Sequence, residues 1–252
     1  MRSKFFVLTA GILSATLATA ATPAIPDYIN AAVADASRPD ADVQRDENRL
    51  PAEVLAFAGV KPGDKVGELL PGRGYFSHLF CKIVGDKGHL YTIDLTRMVS
   101  RPAAATTAST APATKGTPCA NVTADTKAAA EVTWPSGLNM VWTSENYHDL
   151  YNPMFGSPDM LKFNKVIFDA LLPGGVYMIE DHVAEAGSGG RDTNTLHRID
   201  PEQVKKDVTS VGFVFEGESS VLRNANDPHT AKAQEFKGKS DKFLFKFRKP
   251  AH

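Results

Sequence analysis

"VGELLPGRGYFS", Val66–Ser77, joins a short apolar run to a glycine turn and then to an amphipathic segment. "KVGELL" reads as a first strand. Gly72 and Gly74 permit positive φ and let a ligand approach bare backbone, while the helix that follows offers its free N–H groups to a carboxylate or phosphate. Phe76, Leu79, Phe80 and Ile83 recur at helical spacing, which predicts a helix from Tyr75 to Val84 with that face on a sheet.

The same alternation continues on both sides. "PAEVLAFAGV" reads as a helix with Pro51 at its first turn and Gly59 at its end. "HLYTID" is a second strand, "LNMVWT" a later one, "MLKFNKVIFDALLPGG" a helix and turn, and "VYMIED" another strand. "PEQVKKDVTSVGF" predicts a helix between Pro201 and Gly212, and "VFEGESSVLR" with "KFLFKFR" predicts an antiparallel pair at the sheet edge. Strands alternating with helices imply an α/β fold whose mostly parallel sheet is covered on both faces. Order is expected to resume at "EVTW" after residues 100–120, which hold no Leu, Ile, Val or aromatic residue and read as a flexible insertion.

The first 20 residues carry Arg2 and Lys4, an apolar run from Phe5 to Leu17, and small residues in "ATA". This is the order of a cleavable secretory signal peptide, so a periplasmic or secreted chain without stable membrane insertion is expected. Removing Arg2 and Lys4 from the 28 basic residues leaves 26 against 29 acidic ones, a net charge of −3 that gives no reason to expect nucleic acid as a partner. Residues 21–50 read as a polar, solvated arm, with a flap over a site as the sharper alternative; Asp42 with Arg45 and Asp46 with Arg49 are spaced to pair along a helix face. Residues 51–250 form the main domain. Cys81, in a predicted helix, and Cys119, at the end of the insertion, are expected to stay apart.

Ligands of open parallel sheets bind beyond the carboxyl ends of the strands. This sequence places four groups there: Glu68 with the glycine turn, Asp94, Asn146 to Asp149, and Asp181 with His182. Asp94 lies 20 residues beyond Gly74, where an acidic side chain typically bonds ribose hydroxyls. "GRGYFS" approximates G-x-G-x-x-G, which by itself does not separate a nicotinamide site from an S-adenosylmethionine site. His148 has the titration range of a general base, with Asp149 to orient it and Asn146 and Tyr147 to hold an acceptor. The glycine-rich "EAGSGGRDTNTLHRID" reads as a lid whose Arg191, Asp192, His197 and Arg198 are candidates for substrate contact. His148, Asp149, Asp181, His182 and His197 could converge on a metal, but no H-E-x-x-H or C-x-x-C spacing supports one, and none is expected.

Taken together, "AGVKPGDKVGELLPGRGYFS", "YTID", "ALLPGGVYMIE", a helix ending "VGF" and a terminal strand pair resemble the class I S-adenosylmethionine-dependent methyltransferases over about residues 51–249. "RPDADVQRDENR", "WTSENYHDLYN" and "RDTNTLHRID" are similar to a bacterial group of predicted methyltransferases often made with signal peptides. The resemblance implies a Rossmann-like, seven-stranded sheet, with Glu68, Gly72 and Gly74 on the methionine moiety and Asp94 on the ribose. The implied activity is methyl transfer to a small-molecule acceptor, with His148, Asp149 and His182 as catalytic candidates and Asn146, Tyr147, Asp181, Arg191, His197 and Arg198 on the substrate side. Leu70 departs from the pattern, because these enzymes usually have glycine there. A repurposed binding protein and a nicotinamide-dependent oxidoreductase remain as alternatives.

Overall fold

The computed structural model describes residues 24–98 and 120–251. Seven strands form one sheet: β1 (Lys65–Leu69), β2 (His89–Leu95), β3 (Val122–Lys127), β4 (Leu138–Ser144), β5 (Leu171–His182), β6 (Val214–Ser219) and β7 (Lys242–Arg248). Their order is β3-β2-β1-β4-β5-β7-β6. β1 to β5 run parallel, and β7 enters antiparallel between β5 and β6. The order reverses beside β1, so a crevice opens at the carboxyl ends of β1 and β4.

Helices cover both faces. α1 (Asp27–Val33), α4 (Pro51–Ala58) and α5 (Tyr75–Val84) close one face over Val66, Leu90, Met140 and Trp142. α6 (Met160–Ala170) and α7 (Pro201–Thr209) close the other over Leu138, Val141, Tyr177 and Phe247. α5 forms as its spacing predicts. Phe76, Leu79, Phe80 and Ile83 are all buried, each contributing about 1.5–3 kcal/mol. That outweighs the modest helix propensity of Phe and Ile, a deficit of about 0.7 kcal/mol or less per residue. Gly74, at φ 86, is the left-handed residue from which this helix starts.

Three expectations change. Regular structure resumes at Val122, ahead of "EVTW", because β3 is an exposed edge strand that pairs only with β2 and needs no apolar run. "EVTW" itself begins at the end of a single 3-10 turn, Ala129–Glu131. The segment before α4 is not a solvated arm: Ile29 and Ala32 are core residues, and Arg38, Asp42 and Arg49 are buried. α2 (Asp40–Val43) and α3 (Asp46–Arg49) are single turns, and the i, i+3 pairs do not form. Asp46 instead takes a bidentate bond from Arg38 and one from Tyr75 Oη, Asp42 meets His78 Nδ1 at 2.6 Å, and Arg49 reaches Glu145.

Cys81 is disulfide-bonded, against the expectation of a separate thiol. Cys119 and nearly all of the 100–120 insertion lie outside the described residues, as does the leader at residues 1–20. Among the described residues, no helix is long and apolar enough to cross a membrane.

Candidate active site

Three chambers meet at the carboxyl edge of the sheet. The first, about 440 Å³, lies under the glycine turn and is lined by Glu68, Leu70, Gly72, Arg73 and Tyr75, by Ser144 to Asn146, and by Ala41, Asp42, Arg45 and Arg49 of the N-terminal segment. That segment is a wall of the chamber, as the flap reading anticipated. A Cβ built on Gly72 would meet no protein atom within 4 Å, so the backbone there is bare.

Glu68 is 3% exposed. Burial pushes its carboxyl up to about 7, although Ser77 Oγ donates to it at 2.5 Å and Arg49 lies nearby. Gly74 starts α5 and is buried, and it is not among the residues lining the chamber. Asp94 is not among them either. Its carboxylate accepts from Leu95 N at 2.9 Å, and burial raises its pKa. Leu70 stands at φ 52, the left-handed conformation that glycine takes without cost. It is pinned there by Leu70 N–H donating to Ile93 O and by Asn146 Nδ2 donating to Leu70 O.

The second chamber, about 340 Å³, is lined by Asn146, His148, Asp149, Asn152, His182, His197 and Arg97. The turn after β4, the end of β5 with the loop that follows it, and Arg97 just past β2 bring these residues together. Asp181 accepts from the His148 backbone N–H at 2.7 Å and sits 2.8 Å from His148 Nδ1. His148 Nε2 lies 3.3 Å from His197 Nδ1 and 3.6 Å from Asp149 Oδ1. Burial alone would lower the His148 pKa, but Asp181, with Asp149 and Glu145, outweighs it and holds the value at about 9. Burial lowers His182 to about 4, and its Nδ1 meets Ser240 Oγ at 2.8 Å.

Glu145 lines both of these chambers and a third of about 330 Å³. It accepts from Arg49 Nη2 at 2.5 Å and from Lys242 Nζ at 2.9 Å, at φ 59. Burial would raise its pKa, but Lys242, Arg49 and His182 outweigh burial and hold it ionised. Reading the sequence does not pick out Glu145, Arg49 or Lys242 as site residues. Two signals were available: Glu145 directly precedes the chosen Asn146, and Lys242 is a lysine opening a strand whose next three residues, Phe243 to Phe245, are apolar.

Other candidates fall elsewhere. Arg198 is fully buried and donates to Val183 O, Ala231 O and both Asp227 oxygens, so it holds the loop and faces no substrate. Tyr147 is also fully buried, with its hydroxyl between Asn164 and Asp207. Arg191 is exposed and pairs with Asp192 and Glu185. The physical reason is common to all three: a long polar side chain reaches the partner that the fold brings beside it, and sequence distance does not say which that is.

The strand order, the antiparallel β7 and the crevice beside β1 define the Rossmann-like fold of S-adenosylmethionine-dependent methyltransferases. Solved structures agree. The chain bound by the Trm112 methyltransferase activator of Haloferax volcanii aligns at TM-score 0.58 and 15% identity, over 91% of this chain and 99% of that one. A SAM-dependent methyltransferase of Aquifex aeolicus aligns at TM-score 0.54 and 17% identity, over 78% and 88%. The [4+2]-cyclase SpnF aligns at TM-score 0.55 and 14% identity, over 81% of each chain. No protein-family profile matches the chain. No curated protein matches it.

Proposed function

We propose that this chain is an S-adenosylmethionine-dependent methyltransferase acting on a small molecule, similar to the exported bacterial group that its sequence resembles. One observation carries the reading: bare glycine backbone and a buried carboxylate flank a 440 Å³ chamber that adjoins a histidine-lined one across Glu145 and Asn146. Its volume suits a cofactor-sized ligand, for which pockets run about 300–1,000 Å³. Glu68 and Gly72 would hold the methionine end, with Arg45 and Arg49 closing the wall above it. When bound, the cofactor supplies an electrophilic methyl group. The acceptor enters the second chamber, and its placement there does most of the catalytic work. His148 has both ring nitrogens engaged, by Asp181 and His197, whereas His182 commits only Nδ1, to Ser240. His182 Nε2 is therefore the nitrogen free to take a proton from the acceptor.

A second reading, other chemistry or binding alone on this fold, is favoured by Leu70, a non-glycine residue in left-handed backbone at the edge of the first chamber. Fold does not decide between them. Calorimetry of the mature chain with S-adenosylmethionine, S-adenosylhomocysteine and NAD does. Adenosyl ligands should bind, and Gly72→Val should abolish binding by filling bare backbone space; binding of NAD alone would refute the proposal. Export is the remaining part of the proposal, supported by the leader and by the disulfide at Cys81, which persists in oxidising compartments. Mass spectrometry of periplasmic protein should find an N-terminus near Ala21.

A further inference from the structure

We propose that His148 Nε2, His197 Nδ1 and an Asp149 carboxylate oxygen form a binding site for a divalent metal ion of zinc-like chemistry, with a fourth position open to the second chamber. Their ligand atoms lie within 4.8 Å of one another. Zn–N bonds of 2.0–2.1 Å at tetrahedral angles place two ligand nitrogens about 3.3 Å apart, whereas octahedral neighbours would sit near 2.9 Å. The observed separations are 3.3 Å between His148 and His197 and 3.6 Å between His148 and Asp149. Both match the tetrahedral spacing better.

The surroundings are those of a metal site. Asp181, fully buried on β5, faces His148 Nδ1 and also accepts the His148 backbone N–H. A carboxylate in that place fixes the ring so that Nε2 presents its lone pair, the arrangement that commonly supports a histidine ligand. His197 is held at φ 54 in a loop closed by the Val183–Ile199 bridge and by Ile199 N–H donating to His182 O. Two histidines and one carboxylate leave room for an exogenous ligand, as three-residue catalytic zinc sites do. The adjoining chamber of about 340 Å³ would admit an oxygen donor. An ion there displaces any proton on Nε2, so uptake releases protons.

The test needs no methyl donor, so it stands or falls separately from the cofactor reading. Tag-free mature protein, stripped with a chelator, is titrated with Zn²⁺ against a chromophoric competitor, and Co²⁺ is used as a spectroscopic probe. One equivalent should bind, with the intense visible absorption of four-coordinate Co²⁺. His197→Ala and Asp149→Ala should each weaken Zn²⁺ at least tenfold, and Asp181→Asn about 10- to 100-fold. His89→Ala, far away on β2, should change nothing. Because His148→Ala leaves Asp181 buried without its partner, the half-buried His197 is the decisive position. The proposal is overturned by any of three results: no stoichiometric uptake, equal uptake in H197A and D149A, or an octahedral Co²⁺ spectrum.

Discussion

Replacing Glu68 with glutamine isolates the cost of keeping a carboxylate under the glycine turn. Burial raises its pKa from 4.5 to about 7 in the folded chain. A group raised in this way stabilises the fold fully below its unfolded pKa, and that stability is lost as pH rises through the folded value. The window therefore runs from about pH 4.5 to 7. Its depth is about 3 kcal/mol, from 1.36 kcal/mol per pKa unit. In Glu68→Gln the amide oxygen would still accept from Ser77 Oγ, whose bond is 2.5 Å in the native chain, and the side chain would never ionise. Urea unfolding at pH 4.5 and pH 9 should show the variant gaining about 3 kcal/mol on the native chain between the two conditions. A difference that does not change with pH would refute the assignment of the penalty to Glu68. The same variant should bind S-adenosylmethionine more weakly, because the ammonium group of the ligand would lose its counter-charge. In the native chain, affinity should rise with pH through about 7 as Glu68 gives up its proton.

Leu70→Gly removes a left-handed residue that costs about 1–2 kcal/mol, but it also deletes a leucine only 8% exposed, worth about 2–5 kcal/mol. The variant should be less stable in urea yet bind adenosyl ligands more tightly in calorimetry. Arg198→Ala breaks a pair in which both side chains are fully buried, so thermal unfolding should report a loss of about 3–5 kcal/mol, with little change in ligand affinity at folding temperatures. Arg49→Ala leaves Glu145 to Lys242 alone and frees the N-terminal wall. Limited proteolysis should then cut between residues 36 and 50, and cofactor affinity should fall at least tenfold.

Much of the fold was legible because its cause is local. Glycine placement and the 3.6-residue recurrence of Phe76, Leu79, Phe80 and Ile83 specify strand, turn and helix with no distant information, and α5 spans the predicted Tyr75–Val84. β3 is not visible in this way because an exposed edge strand needs no apolar pattern; its order comes from the β2 backbone beside it. The histidine chamber was half legible. That strand ends carry chemistry follows from topology, so His148, Asp149, Asp181 and His182 could be named. That His197, 49 positions further on, would stop 3.3 Å from His148 depends on how one loop is tied back to β5. The Arg49–Glu145–Lys242 group lay further from view still. Each member comes from a different part of the chain, and a buried charge is tolerable only where its partner arrives. Local chemistry in the sequence therefore determined the elements and the edge on which the site lies, whereas only tertiary packing decided which charged side chains meet, because burial and electrostatic pairing act between groups that the sequence holds far apart.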